Sequence, residues 1–277
     1  METKTSVVDI TDLQAMHSFF KTKVGKWIGL WLLRVLNIEK VNQVHTNSFH
    51  LRGAAFTSAI LADPLINVRY EVHHEERLET LPEGAFITVS NHPIGSIDGI
   101  MLIDLFAKRR PDYKVMVNGI LAKISAMGDN FISVVPDSKH EGPNQANLNG
   151  VRASLLHMKE GHPLGFFPAG AISFYNKEKK DIYDLDWAKA VVRLIRKGSV
   201  PVYPVYFDFK NSSFFYWLGR VDWRIRTARI PSEAFNKQGK IAHIHIGAPI
   251  PPEKIKQLKE DKELADFLRE ATYAAKA

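Results

Sequence analysis

The chain has 277 residues, 45% hydrophobic and 24% charged, which supplies apolar material for one sizeable core and excludes a disordered composition. It has no cysteine, so disulfides, thiolate metal sites and a thiol nucleophile are all excluded. Lys and Arg number 37 against 30 Asp and Glu, and the resulting +7 suits an anionic partner (a lipid headgroup surface, an acidic carrier protein or a nucleic acid) without choosing among them.

Residues 1–13 lack the basic start and apolar run of a secretory leader. Phe20, Val24, Trp27, Ile28, Trp31 and Val35 recur at helical spacing, so the pattern predicts one amphipathic helix over residues 12–37. Its longest apolar run, residues 27–33 between Lys26 and Arg34, is short of the roughly 20 residues that a bilayer span needs. Two Trp beside Lys21, Lys23 and Lys26 suit a helix lying in the headgroup plane. Packing on the protein's own core is the commoner fate of such a stripe. Gly25 and Gly29 weaken the helix slightly.

From residue 68 onward short apolar strands alternate with helical stretches. Strands are predicted at 67–73, 85–90, 113–117, 131–135, 164–167, 200–207 and 241–247. Helices are predicted at 97–109, between the third strand and Met127, at 145–159 and at 186–197. Residues 137–144 are the most loop-like interior stretch. Pro249, Pro251 and Pro252 stop the last strand, and residues 253–277 form a charged helix with Ile255, Leu258 and Phe267 as packing residues. The expected fold is α/β, a largely parallel central sheet flanked by helices, with an N-terminal amphipathic helical segment. Three parts follow: a membrane-associating helical segment 1–66, a main domain 67–252 and a C-terminal helix 253–277.

Active sites in such sheets lie beyond the carboxyl ends of strands. Two segments occupy such ends: Ser90-Asn91-His92-Pro93-Ile94-Gly95-Ser96-Ile97-Asp98-Gly99 and Pro168-Ala169-Gly170. Pro93 ends the first strand for want of a ladder donor, and Gly95 permits a tight turn. Asp98 then falls in the first turn of a helix, where free N–H groups favour a carboxylate. The short returning chain brings Asp98 within reach of one His92 nitrogen, which would leave the other free as a base. A structural histidine capping a strand is the bland account of His92. The G-x-S-x-G elbow is absent, because Ile94 lies two before Ser96, and there is no cysteine. A covalent acyl-enzyme therefore has no evident nucleophile. Direct attack by an acceptor hydroxyl on a thioester needs only a base, placement and oxyanion stabilisation.

These residues resemble the glycerolipid acyltransferase superfamily, which includes the 1-acyl-glycerol-3-phosphate acyltransferases. That family places four residues between its His and Asp, whereas this chain has five, Pro93 to Ile97. The longer spacing resembles a bacterial hemolysin-like branch, similar to enzymes that O-acylate lyso-ornithine and lyso-glycine lipids, with its Asn-His-Pro-x-Gly-Gly-x-Asp-Gly segment. Ser96 replaces the second Gly of that pattern. Phe167-Pro168-Ala169-Gly170-Ala171-Ile172-Ser173 resembles the family's Phe-Pro-Glu-Gly-Thr-x-Ser block, and Val200-Pro201-Val202-Tyr203-Pro204-Val205 resembles a later one. Asp184 and Trp187 resemble a spaced pair between those blocks. The resemblance spans about residues 68–207.

It implies His92 and Asp98 as the catalytic pair and Phe167, Pro168, Gly170 and Ser173 as substrate-binding residues. Gly170 is equally well explained as an oxyanion-hole turn or as a strand-ending turn that needs glycine. Two departures stand out. Ala169 replaces the third block's acidic residue, and the region 128–136 has no counterpart of the phosphate-binding Arg of the second block. Without that Arg a phosphate acceptor loses its fork-shaped partner, and a lyso-aminolipid becomes the better candidate.

Other constellations are weaker. His73 and His74 are adjacent on a strand and point to opposite faces; His243 and His245 share a face, with no carboxylate near them in sequence. Surface or core histidines are the expected account, and no metal is required. Basic runs at 108–110 and 177–180, with Arg193, Arg196 and Lys197, suit an acyl carrier protein or anionic headgroups, although a solvated face is their usual explanation. Arg220, Arg224, Arg226 and Arg229 interleave with Phe215, Trp217 and Trp223. Stacking on single-stranded nucleic acid would use such a stretch, but no nucleic-acid fold signature accompanies it, so membrane contact is preferred. The expectation is a peripheral O-acyltransferase on the cytoplasmic face of the inner membrane. It would use acyl-carrier-protein or coenzyme A thioesters as donors and hold no bound cofactor. A non-catalytic lipid-binding protein that keeps the fold is the rival. Nothing in the residues speaks to oligomeric state.

Overall fold

The computed structural model describes residues 6–118, 124–134 and 145–276, so the loop at 137–144 and most of the helix expected before Met127 lie outside the described residues. The N-terminal segment is three short pieces rather than one helix: α1 (Ile10–Met16), a 3-10 turn (Ser18–Lys21) and α2 (Lys23–Val35). Two caps make the breaks. His17 Nδ1 accepts from the Phe19 N–H at 3.1 Å, and Thr22 Oγ1 accepts from the Gly25 N–H at 3.0 Å. The apolar stripe of α2 faces outward: Val24, Trp27, Leu30, Trp31 and Val35 are exposed. Its buried face is Gly25, Gly29 and Leu33. The glycines form a close-packing seam, since a Cβ on Gly29 would stand 2.7 Å from Ile10 Cδ1. Next come α3 (Ile38–Ser48) and α4 (Gly53–Ala62). Among the described residues no helix is long and apolar enough to cross a membrane.

The remaining elements follow in chain order: β1 (Arg69–His73), α5 (Glu76–Glu79), β2 (Ile87–Ser90), α6 (Ile97–Ala107), β3 (Lys114–Asn118), β4 (Phe131–Val134), α7 (Gln145–Lys159), β5 (Leu164–Phe166), β6 (Phe174–Asn176), β7 (Asp181–Tyr183), α8 (Lys189–Gly198) and β8 (Val202–Asp208). Three helices fill the connection to the last strand, α9 (Ser213–Val221), α10 (Trp223–Ala228) and α11 (Ile230–Phe235). The chain ends with β9 (Ile241–Ile246), α12 (Pro252–Gln257) and α13 (Asp261–Ala274). Where a helix to Met127 was expected, the described part is a 3-10 turn, Ser125–Asn130. The single tail helix is two, and Ile255, Leu258 and Phe267 all pack against the core.

Seven strands form the main sheet in the order β1-β9-β8-β2-β5-β3-β4, and β6 and β7 make a separate antiparallel pair. All main-sheet pairings are parallel except β8 with β9, so the fold is the expected mixed α/β one, with β1 and β9 running against the other five. The central strands β2 and β5 are buried throughout and β8 nearly so, as strands covered on both faces must be. At the β1 side the pattern alternates, in keeping with one face more open. One face is covered by α4 and α6, where Phe56 and Ile60 join Met101, Leu102 and Phe106. The other is covered by α8, α12 and α13, where Val192, Ile195, Leu264 and Leu268 meet Ile87 and Val89. The sequence gives no clear helical pattern for α9–α11. The last of them, α11, lies against the N-terminal helices, with Asn37 Nδ2 donating to Ser232 Oγ at 2.8 Å and Lys40 over the Phe235 ring.

Candidate active site

The segment after β2 is a loop whose groups are nearly all engaged. Asn91 extends the strand with its side chain: its amide donates to the Phe207 carbonyl at 3.1 Å and accepts from the Phe207 N–H at 2.7 Å. His92 donates its backbone N–H to Asp184 Oδ1 at 3.2 Å, and its carbonyl accepts from the Ser173 N–H at 2.9 Å. The Pro93 carbonyl accepts from Asn211 Nδ2 and from the Tyr216 hydroxyl, at 3.3 and 3.2 Å. Gly95 has φ +86, and a Cβ there would lie 2.3 Å from Ile172 Cδ1. Only glycine satisfies both the backbone and the space.

Asp98 opens α6 and is fully buried. Its Oδ2 accepts from the Ile94 and Gly95 N–H groups at 2.9 and 3.1 Å, and its Oδ1 from the Gly99 N–H at 3.0 Å. Oδ2 also lies 3.0 Å from His92 Nδ1, an ion-pair approach; Nδ1 makes no hydrogen bond of good geometry to the described residues. The sequence expectation that the turn returns Asp98 to one imidazole nitrogen is met in this geometry. Burial of Asp98 works against its charge, but the imidazole and the backbone donors outweigh it and hold the carboxyl below its ordinary range. Burial likewise works against a charged His92, but the neighbouring carboxylate prevails and raises its pKa. Nε2 makes no hydrogen bond to the described residues, and the His92 side chain retains 20% exposure. Chemically this is an imidazole with one nitrogen oriented by a carboxylate and the other open to a proton.

The third-block residues surround this pair. The Phe167 ring lies 4.2 Å from the His92 ring, centroid to centroid. The Pro168 carbonyl accepts from the Ala188 N–H at 2.9 Å. Gly170, with φ +63, is exposed, and its own N–H is engaged with the Phe167 carbonyl at 3.0 Å. Ser173 is fully buried and donates its hydroxyl to Asp184 Oδ1 at 2.5 Å. Trp187 donates to the other oxygen of Asp184 at 3.2 Å, and the Tyr273 hydroxyl accepts from the Asp184 N–H at 2.8 Å. Burial raises the pKa of Asp184 even against these donors. Asp184 is therefore the joint between the His92 loop and the third block. Sequence reading missed the parts of Asn91, Asn211 and Tyr216. Asn91 stood inside the motif and was the one signal available; Asn211 and Tyr216 lie more than a hundred residues away.

The protein also carries two exposed apolar surfaces. One is the α2 stripe; the other comprises Phe214, Trp217, Val221, Trp223 and Ile225 of α9 and α10. The arginines there stand over rings, Arg229 over Phe214 at 4.9 Å and Arg226 over Phe215 at 5.6 Å. The side chain of Ile230, in α11, lies beside Gly95, within 3.7 Å of where a Cβ would stand.

A family model described as acyltransferase matches residues 17–277, well beyond the blocks legible in the sequence. The chain is 25% identical over 273 residues to a lyso-glycine lipid O-acyltransferase of Phocaeicola vulgatus, covering 93% of each chain. It is 25% identical over 261 residues to a protein of the same name from Bacteroides thetaiotaomicron, covering 90% of each.

Proposed function

The chain belongs to this acyltransferase family, and from that premise we propose that it moves a fatty acyl chain from an acyl-carrier-protein or coenzyme A thioester to the hydroxyl of a lyso-lipid at a membrane surface. The observation that carries this reading is the 3.0 Å approach of His92 Nδ1 to a fully buried Asp98 whose remaining valences are filled by three backbone N–H groups. A carboxylate so held fixes the ring and favours the imidazolium that forms during reaction. His92 Nε2 takes the acceptor's hydroxyl proton as the oxygen attacks the thioester carbonyl carbon. The tetrahedral oxyanion collapses, the C–S bond breaks, and the departing thiolate takes the proton back from the imidazolium. No acyl-enzyme forms.

Phe167 walls the pocket beside His92, and Pro168 and Gly170 shape the turn around it. Gly170 uses its own N–H within the turn, so that group is not free to serve as an oxyanion donor. Ser173 acts through Asp184, by holding the turn against the His92 loop. The relatives' names and the missing second-block Arg both favour an acceptor without a phosphate monoester, and a lyso-lipid with an amino-acid headgroup fits. The exposed aromatic surfaces of α2 and of α9–α10, with Lys21, Lys23, Lys26 and the arginines, seat the enzyme peripherally on anionic lipid at the cytoplasmic face of the inner membrane.

The test is transfer of a labelled acyl group by purified protein in anionic vesicles, comparing both donors and offering lyso-glycine lipid or lysophosphatidic acid. Product is expected from the lyso-glycine lipid and not from the His92→Ala variant. Binding of lyso-lipid without transfer to any acceptor would overturn the reading.

A further inference from the structure

Three strands across the sheet from β2, the pairing of β1 with β9 assembles a cluster that acyl transfer does not use. The two strands are parallel, with Glu71 opposite His243 and His73 opposite His245. Alternate residues of a strand share a face, so all four side chains rise from the same side of the sheet. The carboxylate that is missing near His243 and His245 in sequence is thus supplied by the neighbouring strand, some 170 positions earlier. His74 leaves the group: its backbone turns to φ +61 and its Nδ1 lies 3.6 Å from Glu76.

We propose that Glu71, His73 and His243 form a binding site for a divalent transition-metal ion of the zinc or nickel class. One potential ligand atom from each residue lies within 4.8 Å of the other two. His73 Nε2 is 3.0 Å from His243 Nδ1, and that same Nδ1 is 3.6 Å from Glu71 Oε2. Ligands at the usual zinc bond length of about 2.1 Å in a tetrahedron stand about 3.4 Å apart, close to the 3.0 and 3.6 Å separations found here. Two imidazoles and one carboxylate select a borderline metal over magnesium or calcium, which prefer all-oxygen shells. Three protein ligands leave a fourth position for water.

The surroundings favour the arrangement. The His245 ring stacks on His73 at 4.3 Å with 9° between planes, which fixes the orientation of that ligand. On the same side Lys276 is paired with Asp208 at 3.0 Å, and Arg69 shares the face two positions before Glu71. The ion would tie edge strand β1 to β9 across the sheet. Nothing in this arrangement depends on the catalytic pair.

Calorimetric titration of tag-free, full-length protein with zinc chloride, and separately with nickel and magnesium chloride, tests the proposal. One equivalent of zinc is expected to bind, with magnesium inert. His73→Ala, His243→Ala and Glu71→Gln should each weaken zinc at least about tenfold, whereas His50→Ala should not. Zinc should raise the melting temperature of the parent protein and not that of His243→Ala. The absence of saturable zinc uptake up to about 100 µM overturns the site. So does zinc uptake that survives His243→Ala in protein whose circular dichroism is unchanged.

Discussion

Helices α6 and α2 are both rich in apolar residues and dispose of them in opposite ways. α6 buries nine of its eleven residues, and its first turn carries the carboxylate that faces His92. α2 buries three of its thirteen, two of them glycines, and turns its Trp and Val residues outward. The difference lies in what each helix has to pack against. α6 lies between the sheet and α4, so every side of it meets apolar surface. Among the described residues α2 packs chiefly on α1, the 3-10 turn and α3, and it meets the first two through its small residues. Apolar area that a chain declines to bury in itself is available to another phase. One helix thus uses its hydrophobicity to fix the His92–Asp98 geometry, while the other leaves it exposed.

Several substitutions would break or sharpen that contrast. The largest effect belongs to the pair that α6 positions. His92→Ala should lower kcat about 1,000-fold, or about 4 kcal/mol, measured per folded molecule, because Asp98 keeps its three backbone donors. The pH profile carries the sign of the coupling. The base acts when neutral and its pKa is raised, so kcat/KM should climb with pH through an inflection above about 6.5. Asp98→Asn should move that inflection down as well as slow the reaction.

Within the body of α6, Phe106→Ala should cost about 3–5 kcal/mol in urea unfolding, since the ring is fully buried among Phe86 and Tyr113. The seam of α2 is more tolerant. Gly29→Val should cost about 1–3 kcal/mol, the effort of displacing Ile10. Smallest in stability is the outward face: Trp27→Ser and Trp31→Ser should each shift unfolding by less than about 0.5 kcal/mol while weakening sedimentation with anionic vesicles. If those two variants unfolded like Phe106→Ala, the stripe would be core and the contrast would be lost.

Much of the sheet was legible because strands covered on both faces must be continuously apolar, and β2, β5 and β8 are. The approach of His92 to Asp98 was legible because it is local: six positions separate the two, and a turn with glycine in it closes them. The breaks in the N-terminal helix were harder to see, since His17 and Thr22 announce themselves only through hydrogen bonds to their own backbone. The outward direction of the α2 stripe was also hidden. Periodicity marks which residues share a face, but not whether that face is covered. Least legible were contacts set by strand pairing and long-range packing. Glu71 beside His243, Asn211 on the Pro93 carbonyl and Asp184 on the His92 backbone all depend on where distant elements dock.

The Asn91 side chain, bonded twice to Phe207, has a consequence for motion. With that bridge, the Asp184 contact and the carboxylate at Ile94 and Gly95, the His92 loop is tied into the slowest-opening part of the molecule. Its amide hydrogens should exchange with solvent on the timescale of β2 itself. A loop with that lifetime is a fixed anvil against which a bound molecule is positioned.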